Sequence, residues 1–244
     1  MTDPHFSLHH LSLPPRQREE GESPAILLLH GFGANERDLM GLASYFDPRF
    51  HILSARAPLT LGPQMFAWYN LTMFADGSFQ FDEAQARTSL TLIHEFIDEA
   101  IAAYGLDRSR FYLAGFSQGA IQGSALLLIA PEAVGGLVAM SGRWPVTVDD
   151  EIAPDARLAG KPVLALHGLY DPVIRISYGH ELRDRWQQLP VDFSYHEFPM
   201  AHEINMEALN LVRGWLAARL NGNAEQATQN AERRTQNGTA TRSN

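Results

Sequence analysis

The sequence predicts a single α/β domain: a mostly parallel central sheet of about seven strands with helices on both faces. Three observations carry this reading. Short, nearly continuous apolar runs recur along the chain, each bounded by Gly, Pro or Ser, which suits strands covered on both faces. Between them lie segments whose apolar residues recur at steps of three or four, the pattern of helices with one buried stripe. Finally, 244 residues with 45% hydrophobic and 19% charged side chains are ample for one sizeable core.

The elements follow in order. Phe6, Leu8 and His10 alternate with Ser7, His9 and Leu11, which reads as an edge strand, and Pro14 to Pro24 is a polar connection. Ala25 to Leu29 is the first buried run, followed by a helical pattern near 36–46 and a second run from Phe50 to Leu53. Arg56 to Asp82 lacks clear periodicity and carries Phe66, Trp68, Tyr69, Phe74, Phe79 and Phe81. So long a segment inside a compact domain is functional or hides an element. Residues 83–104 place Leu90, Ile93, Ile97, Ile101 and Tyr104 on one helical stripe, and Gly105 is a natural stop. Further strands are expected over Arg110 to Ala114, Gly136 to Met140, Pro162 to Leu166 and Phe193 to Phe198, with helices near 118–130, 175–189 and 203–219. Residues 221–244 contain no Leu, Ile, Val or aromatic side chain, so they cannot offset their ordering entropy. They are expected to form a disordered tail beyond a catalytic domain spanning 1–220.

The sharpest chemical signal is Gly115-Phe116-Ser117-Gln118-Gly119. By composition alone such a pattern arises in roughly one chain in ten of this length. Here, however, a buried strand runs into it and a helix leaves it, the setting of a nucleophile elbow. A Gly-rich turn with a capping serine is the bland alternative. A serine nucleophile needs a positioned base. Of ten histidines, His202 follows the strand ending near Phe198 and precedes a helix, at the carboxyl edge where open α/β sheets place their chemistry. An acid must hold that base, and Asp171 lies in the turn just past the Pro162 to Leu166 strand. Asp in a turn is common without catalysis, but the order Ser117, Asp171, His202 is that of α/β-hydrolases. The oxyanion needs backbone donors, expected from the N–H groups of Gln118 and of Phe32 in His30-Gly31-Phe32-Gly33. Met65, Trp68 and Met73, on the segment leaving the same sheet edge, are candidates for an apolar substrate wall, with Val173 beside Asp171. Core packing is the competing reading for the aromatics.

These motifs occur together and in order: Leu29-His-Gly-Phe-Gly33, Ala57-Pro58, Trp68-Tyr69, Gly115-Phe-Ser-Gln-Gly-Ala120, His167-Gly-x-x-Asp-Pro-Val173 and His202-Glu-Ile204. Over about residues 6–220 the chain resembles the carboxylesterase/phospholipase family of α/β-hydrolases, which includes acyl-protein thioesterases. The resemblance implies the α/β-hydrolase fold, Ser117 as nucleophile, His202 as base, Asp171 as acid, oxyanion donors at Phe32 and Gln118, and no cofactor. Ala201 departs from the pattern, since the family usually has glycine before the histidine.

Other classes are disfavoured. A net charge of −9 argues against a nucleic-acid partner. No apolar run is long enough to cross a bilayer, and the first ten residues lack a basic start followed by an apolar block, so a soluble, cytoplasmic protein is expected. Zero cysteines exclude a thiolate nucleophile and Cys-based metal sites. His94-Glu95 and His202-Glu203 are followed by Asp98 and Met206, so neither completes a zinc helix motif. The expected function is hydrolysis of small or medium acyl esters through an acyl-enzyme. Thioester or lysophospholipid hydrolysis is the nearest alternative, and a non-catalytic binder of small hydrophobic ligands the alternative from another class. A homodimer is left open.

Overall fold

Successive side chains of a strand point to opposite faces, and in the first buried run both faces are apolar. In β2 (Ser23–Leu29), Ala25, Leu27 and Leu29 join one core while Ile26 and Leu28 join another. The computed structural model, which describes residues 6–74 and 79–221, extends this arrangement across a seven-stranded sheet. Besides β2 the sheet contains β1 (His10–Leu13) and β3 (His51–Ala55). Two hairpins follow, β4 (Leu59–Gly62) with β5 (Met65–Ala67), and β6 (Leu71–Met73) with β7 (Phe79–Phe81). The remaining sheet strands are β8 (Leu106–Phe116), β9 (Gly136–Met140), β10 (Pro162–Gly168) and β11 (Asp192–Phe198). Their order is β1-β3-β2-β8-β9-β10-β11, all neighbours parallel except β1 with β3. This is the α/β-hydrolase architecture.

One face is covered by α1 (Glu83–Tyr104), α2 (Gln118–Ile129) and α4 (Ile176–Trp186), the short α3 (Asp155–Leu158) also joining that core through Leu158. The other is covered by a 3-10 turn at Leu39–Tyr45 and by α5, helical residues 206–221. The ends of α1 follow from its sequence. Asp82 accepts the Gln85 N–H as N-cap, and Gly105 closes the helix in the left-handed region at φ 65°. Among the described residues no helix is long and apolar enough to cross a membrane.

Several expectations are corrected. The helix near 36–46 is the 3-10 turn, because Gly41 weakens an α-helix and only seven residues precede the break at Phe46. The last helix begins at 206 rather than 203, because Asn205 caps it by accepting the Ala208 N–H at 2.8 Å. The edge strand starts at His10, since Phe6 instead stacks on Tyr104 and packs at a tilt against Phe96. Within 56–82 lie the two hairpins, whose strands of three or four residues are too short to show a period of two. The expected tail lies outside the described residues, apart from Asn221.

The chain runs from β2 outwards to β3, then returns to place β8 on the other side of β2. A crevice therefore opens at the carboxyl ends of β2 and β8, the switch point where such sheets bind ligands. Helix α2 starts there in close contact with β2: a Cβ on Gly119 would overlap the Leu29 carbonyl, and one on Gly115 would overlap Gly119 itself. Gly119→Ala is expected to cost roughly 1–3 kcal/mol and, for a domain of this size, about 2–4 °C of Tm per kcal/mol. Gly41→Ala, with open space around its Cβ, should shift Tm by no more than about 2 °C. Equal shifts in a thermal melt would refute the close approach.

Candidate active site

The central strand β8 delivers Ser117 at its carboxyl end. Ser117 is one of three non-glycine residues with positive φ among the described residues (φ 54°, ψ −116°), and its N–H donates to the Met140 carbonyl at 2.9 Å. Strain of this kind costs of order 1–3 kcal/mol and persists only where the surroundings over-determine it. Here the glycine contacts with α2 and β2 do so.

His202 stands on the connection between β11 and α5, with Nε2 2.9 Å from Ser117 Oγ and Nδ1 2.7 Å from Asp171 Oδ2. The network assigns the hydroxyl as donor to Nε2 and Nδ1–H as donor to the carboxylate. Asp171, in the turn after β10, is buried, and its other oxygen accepts the Val173 and Ile174 N–H groups, each at 2.8 Å. Burial alone raises the carboxyl pKa. The His202 hydrogen bond and charge, with the two amides, outweigh it, so the group lies below its ordinary value and stays an acceptor. His167 holds that turn from beneath, Nε2–H donating to the Ile174 carbonyl at 2.7 Å. The His202 loop passes over Gly168, where a Cβ would overlap the Met200 and Ala201 carbonyls. The departure at Ala201 is harmless for a plain reason: the residue is exposed and has no positive φ.

The Phe32 and Gln118 N–H groups enter no turn, loop or cap hydrogen bond among the described residues. Gln118 opens α2, where the first N–H groups have no intrahelical acceptor. The loop carrying Phe32 is fixed from behind by the 56–82 segment. Gly33 N–H donates to the Phe66 carbonyl, Phe66 N–H to the Ala34 carbonyl, and Ala57 N–H to His30 Nε2. Just beyond, Arg56 grips the buried Glu36 carboxylate at 2.6 and 2.7 Å, which holds that acid down at about 2.

Trp68 links both sides. Its indole N–H donates to the His30 carbonyl at 2.9 Å, and its backbone N–H to the Gln118 side-chain oxygen at 2.8 Å. The Gln118 amide nitrogen donates to the Tyr69 carbonyl at 2.7 Å, and Ser89 donates to the Trp68 carbonyl. Trp68 is 0% exposed. The expectation that it walls a substrate pocket is therefore corrected: its polar atoms are used up in bracing the two loops, so its ring packs in the core.

Beside Ser117 and His202 lies a cavity of about 360 Å³, lined also by Phe32, Leu71, Phe116, Ile121, Val173 and Ile174. Of the substrate-wall candidates, Val173 lines it. Met65 does not: it is 46% exposed at the first residue of β5, its methyl group against Gly33. The Met73 side chain lies outside the described residues. Sequence reasoning missed Asp38, Tyr69 and Arg143 on the cavity wall. For Arg143 a signal existed, since it follows β9 at the same carboxyl edge that singled out Asp171 and His202.

Residues 16–220 match the phospholipase/carboxylesterase family. The provisionally assigned hydrolase MhqD of Bacillus subtilis is 30% identical over 205 residues, covering 78% of this chain and 97% of that protein. Acyl-protein thioesterase 1 of Kluyveromyces lactis is 29% identical over 198 residues, 75% of this chain and 86% of that one. The crystal structure of a Bacillus cereus carboxylesterase superposes with a TM-score of 0.72 at 26% identity, covering 86% of this chain and 94% of that one.

Because the Ala201 Cβ faces solvent on unstrained backbone, Ala201→Gly should leave turnover of a simple ester within about twofold, the scale of an ordinary surface substitution. It should lower Tm slightly through added unfolded-state entropy. A tenfold gain in kcat would show instead that alanine distorts the His202 loop.

Proposed function

Since the chain belongs to the phospholipase/carboxylesterase family, serine hydrolases of α/β-hydrolase fold, we propose that it cleaves carboxylic esters of small or medium acyl chains through an acyl-enzyme. The observation that carries the proposal is the unbroken run from Asp171 through His202 to Ser117, at 2.7 and 2.9 Å. In this reading His202 takes the Ser117 proton as Oγ attacks the ester carbonyl. Asp171 fixes the imidazole tautomer and stabilises the imidazolium. In the same reading the Phe32 and Gln118 N–H groups, which enter no turn, loop or cap hydrogen bond among the described residues, receive the oxyanion. His202 then protonates the leaving alcohol as the tetrahedral adduct collapses to the ester of Ser117. Water, deprotonated by the same histidine, attacks that ester and releases the acid. The largely apolar cavity, at about 360 Å³, supports an acyl group of limited length. The similarity to an acyl-protein thioesterase motivates testing a thioester of the same acyl group beside the oxygen ester.

Ser117→Ala or His202→Ala should lower kcat by up to about 10⁶, and the double replacement should add little, because the two act as one unit. A fluorophosphonate should label the wild type and not Ser117→Ala. Retention of a tenth of wild-type turnover by Ser117→Ala would end the assignment.

Trp68 is a positioning residue in this scheme. Trp68→Phe keeps an aromatic ring but removes the donor to the His30 carbonyl, loosening the Phe32 loop. Losing an oxyanion donor outright costs about 10²–10³ in kcat, so a displaced one should cost about tenfold or more. KM should stay nearly constant, and the loss should be the same for acetyl, butyryl and octanoyl esters. A loss that grew or shrank with chain length would return Trp68 to the substrate wall.

A further inference from the structure

Helix α2 is buried at every residue from Gln118 to Leu128 except Ile121. Ile121 is also part of neither apolar core of the described residues. An apolar side chain left out of both cores, on a helix otherwise enclosed, serves something other than packing. Its N–H donates to the Ser117 carbonyl at 3.1 Å, so it stands one helical turn beyond the proposed nucleophile and on the same side of the helix.

There it lies on the boundary between two spaces. One is the cavity of about 360 Å³ beside Ser117 and His202. The other is a cleft of about 10 Å³, scarcely room for one water, walled by Phe81, Ala86, Ala125 and the 144–147 segment. That segment leaves β9 through Ser141, at φ 50°, and crosses α2 where a Cβ on Gly142 would stand 2.9 Å from that of Ala120. Three residues line both spaces: Tyr69, Ile121 and Arg143. Tyr69 is tied in place, its carbonyl accepting the Gln118 amide at 2.7 Å and its ring centroid 5.5 Å from that of Phe81. The Arg143 guanidinium carbon lies 5.1 Å from the centroid of the same Phe81 ring, and its head group hydrogen bonds with the Tyr69 hydroxyl. Ile121 completes the partition with a purely aliphatic side chain. A β-branched residue in a helix keeps essentially one χ1 rotamer, so it acts as a fixed stop and not as a swinging gate.

We propose that Ile121 determines acyl-chain specificity: it closes the acyl pocket, so that the preferred esters are those whose acyl chain ends before the cleft. The proposal rests on the ester-hydrolase reading of Ser117 and adds to it the residue that limits the substrate.

The test is the profile of kcat/KM over p-nitrophenyl acetate, butyrate, hexanoate, octanoate and decanoate. In the wild type each added methylene should raise kcat/KM by about fourfold until the pocket is full, after which the value falls. In Ile121→Ala the cavity and the cleft join. The maximum should move to longer chains by about two carbons or more, with the octanoate-to-butyrate ratio up by about tenfold or more. Ile121→Val should move it in the same direction by less, and Ile121→Phe towards shorter chains. Val173→Ala enlarges the cavity without opening the cleft, because Val173 lines only the former, and should leave the maximum in place. Binding of 2-hexanone, 2-octanone and 2-decanone, by calorimetry, is read on Ser117→Ala and on Ser117→Ala with Ile121→Ala, so the pocket is measured without turnover. A decanone-to-hexanone preference about tenfold higher in the double variant supports the partition even if no ester is hydrolysed, in which case only the esterase reading falls. A maximum unmoved in Ile121→Ala, an equal shift in Val173→Ala, or equal ketone preferences in the two calorimetric variants would overturn it.

Discussion

The contact on which the site depends is the close approach of α2 to the end of β2, where Gly119 lies directly over the Leu29 and His30 carbonyls. Helix α2 begins at Gln118, immediately after Ser117, so this approach sets where the serine stands relative to the loop that follows β2. A side chain at Gly119 would push the helix away and separate the two proposed oxyanion donors. The positive φ of Ser117 is the cost of the same arrangement, since the chain must reverse within one residue to pass from a central strand into a helix packed on it.

Around that contact the long 56–82 segment acts as scaffold. Residues far apart in sequence converge there: His30 is held by Ala57 and Trp68, Gly33 and Ala34 by Phe66, and Gln118 by Trp68 and Tyr69. His30 is buried, which lowers its pKa and favours the neutral ring that donates to the Gly31 carbonyl and accepts from Ala57. A charged ring would have a proton where that acceptor must be.

The electrostatics differ between the two histidines that face Asp171. Asp171 is buried yet ionised, because His202 and two amides supply what water would otherwise give. His167, 3.6 Å from the same carboxylate, is pushed towards neutrality chiefly by burial and bonds the Ile174 carbonyl instead. One histidine therefore links the acid to Ser117 through two separate hydrogen bonds, while its neighbour shapes the turn that presents the acid.

By itself, the sequence determined whatever is encoded locally. Apolar runs marked the strands, Asp82 and Gly105 marked the ends of α1, and the glycines at 115 and 119 marked a strand turning sharply into a helix. The order of Ser117, Asp171 and His202, each just past a strand, was legible for the same reason: parallel strands bring their carboxyl ends to one edge whatever their spacing along the chain. The tertiary structure alone decided between core and cavity for side chains that sequence treats alike. Trp68 and Val173 are both apolar and both near the edge, but Trp68 is enclosed because its indole N–H meets the His30 carbonyl, a partner 38 residues away. Arg143 reads as an ordinary polar loop residue until the turn at Ser141 and the Phe81 ring set it on the cavity wall. Such placements depend on contacts between distant segments, and no periodicity or cap in the chain records them.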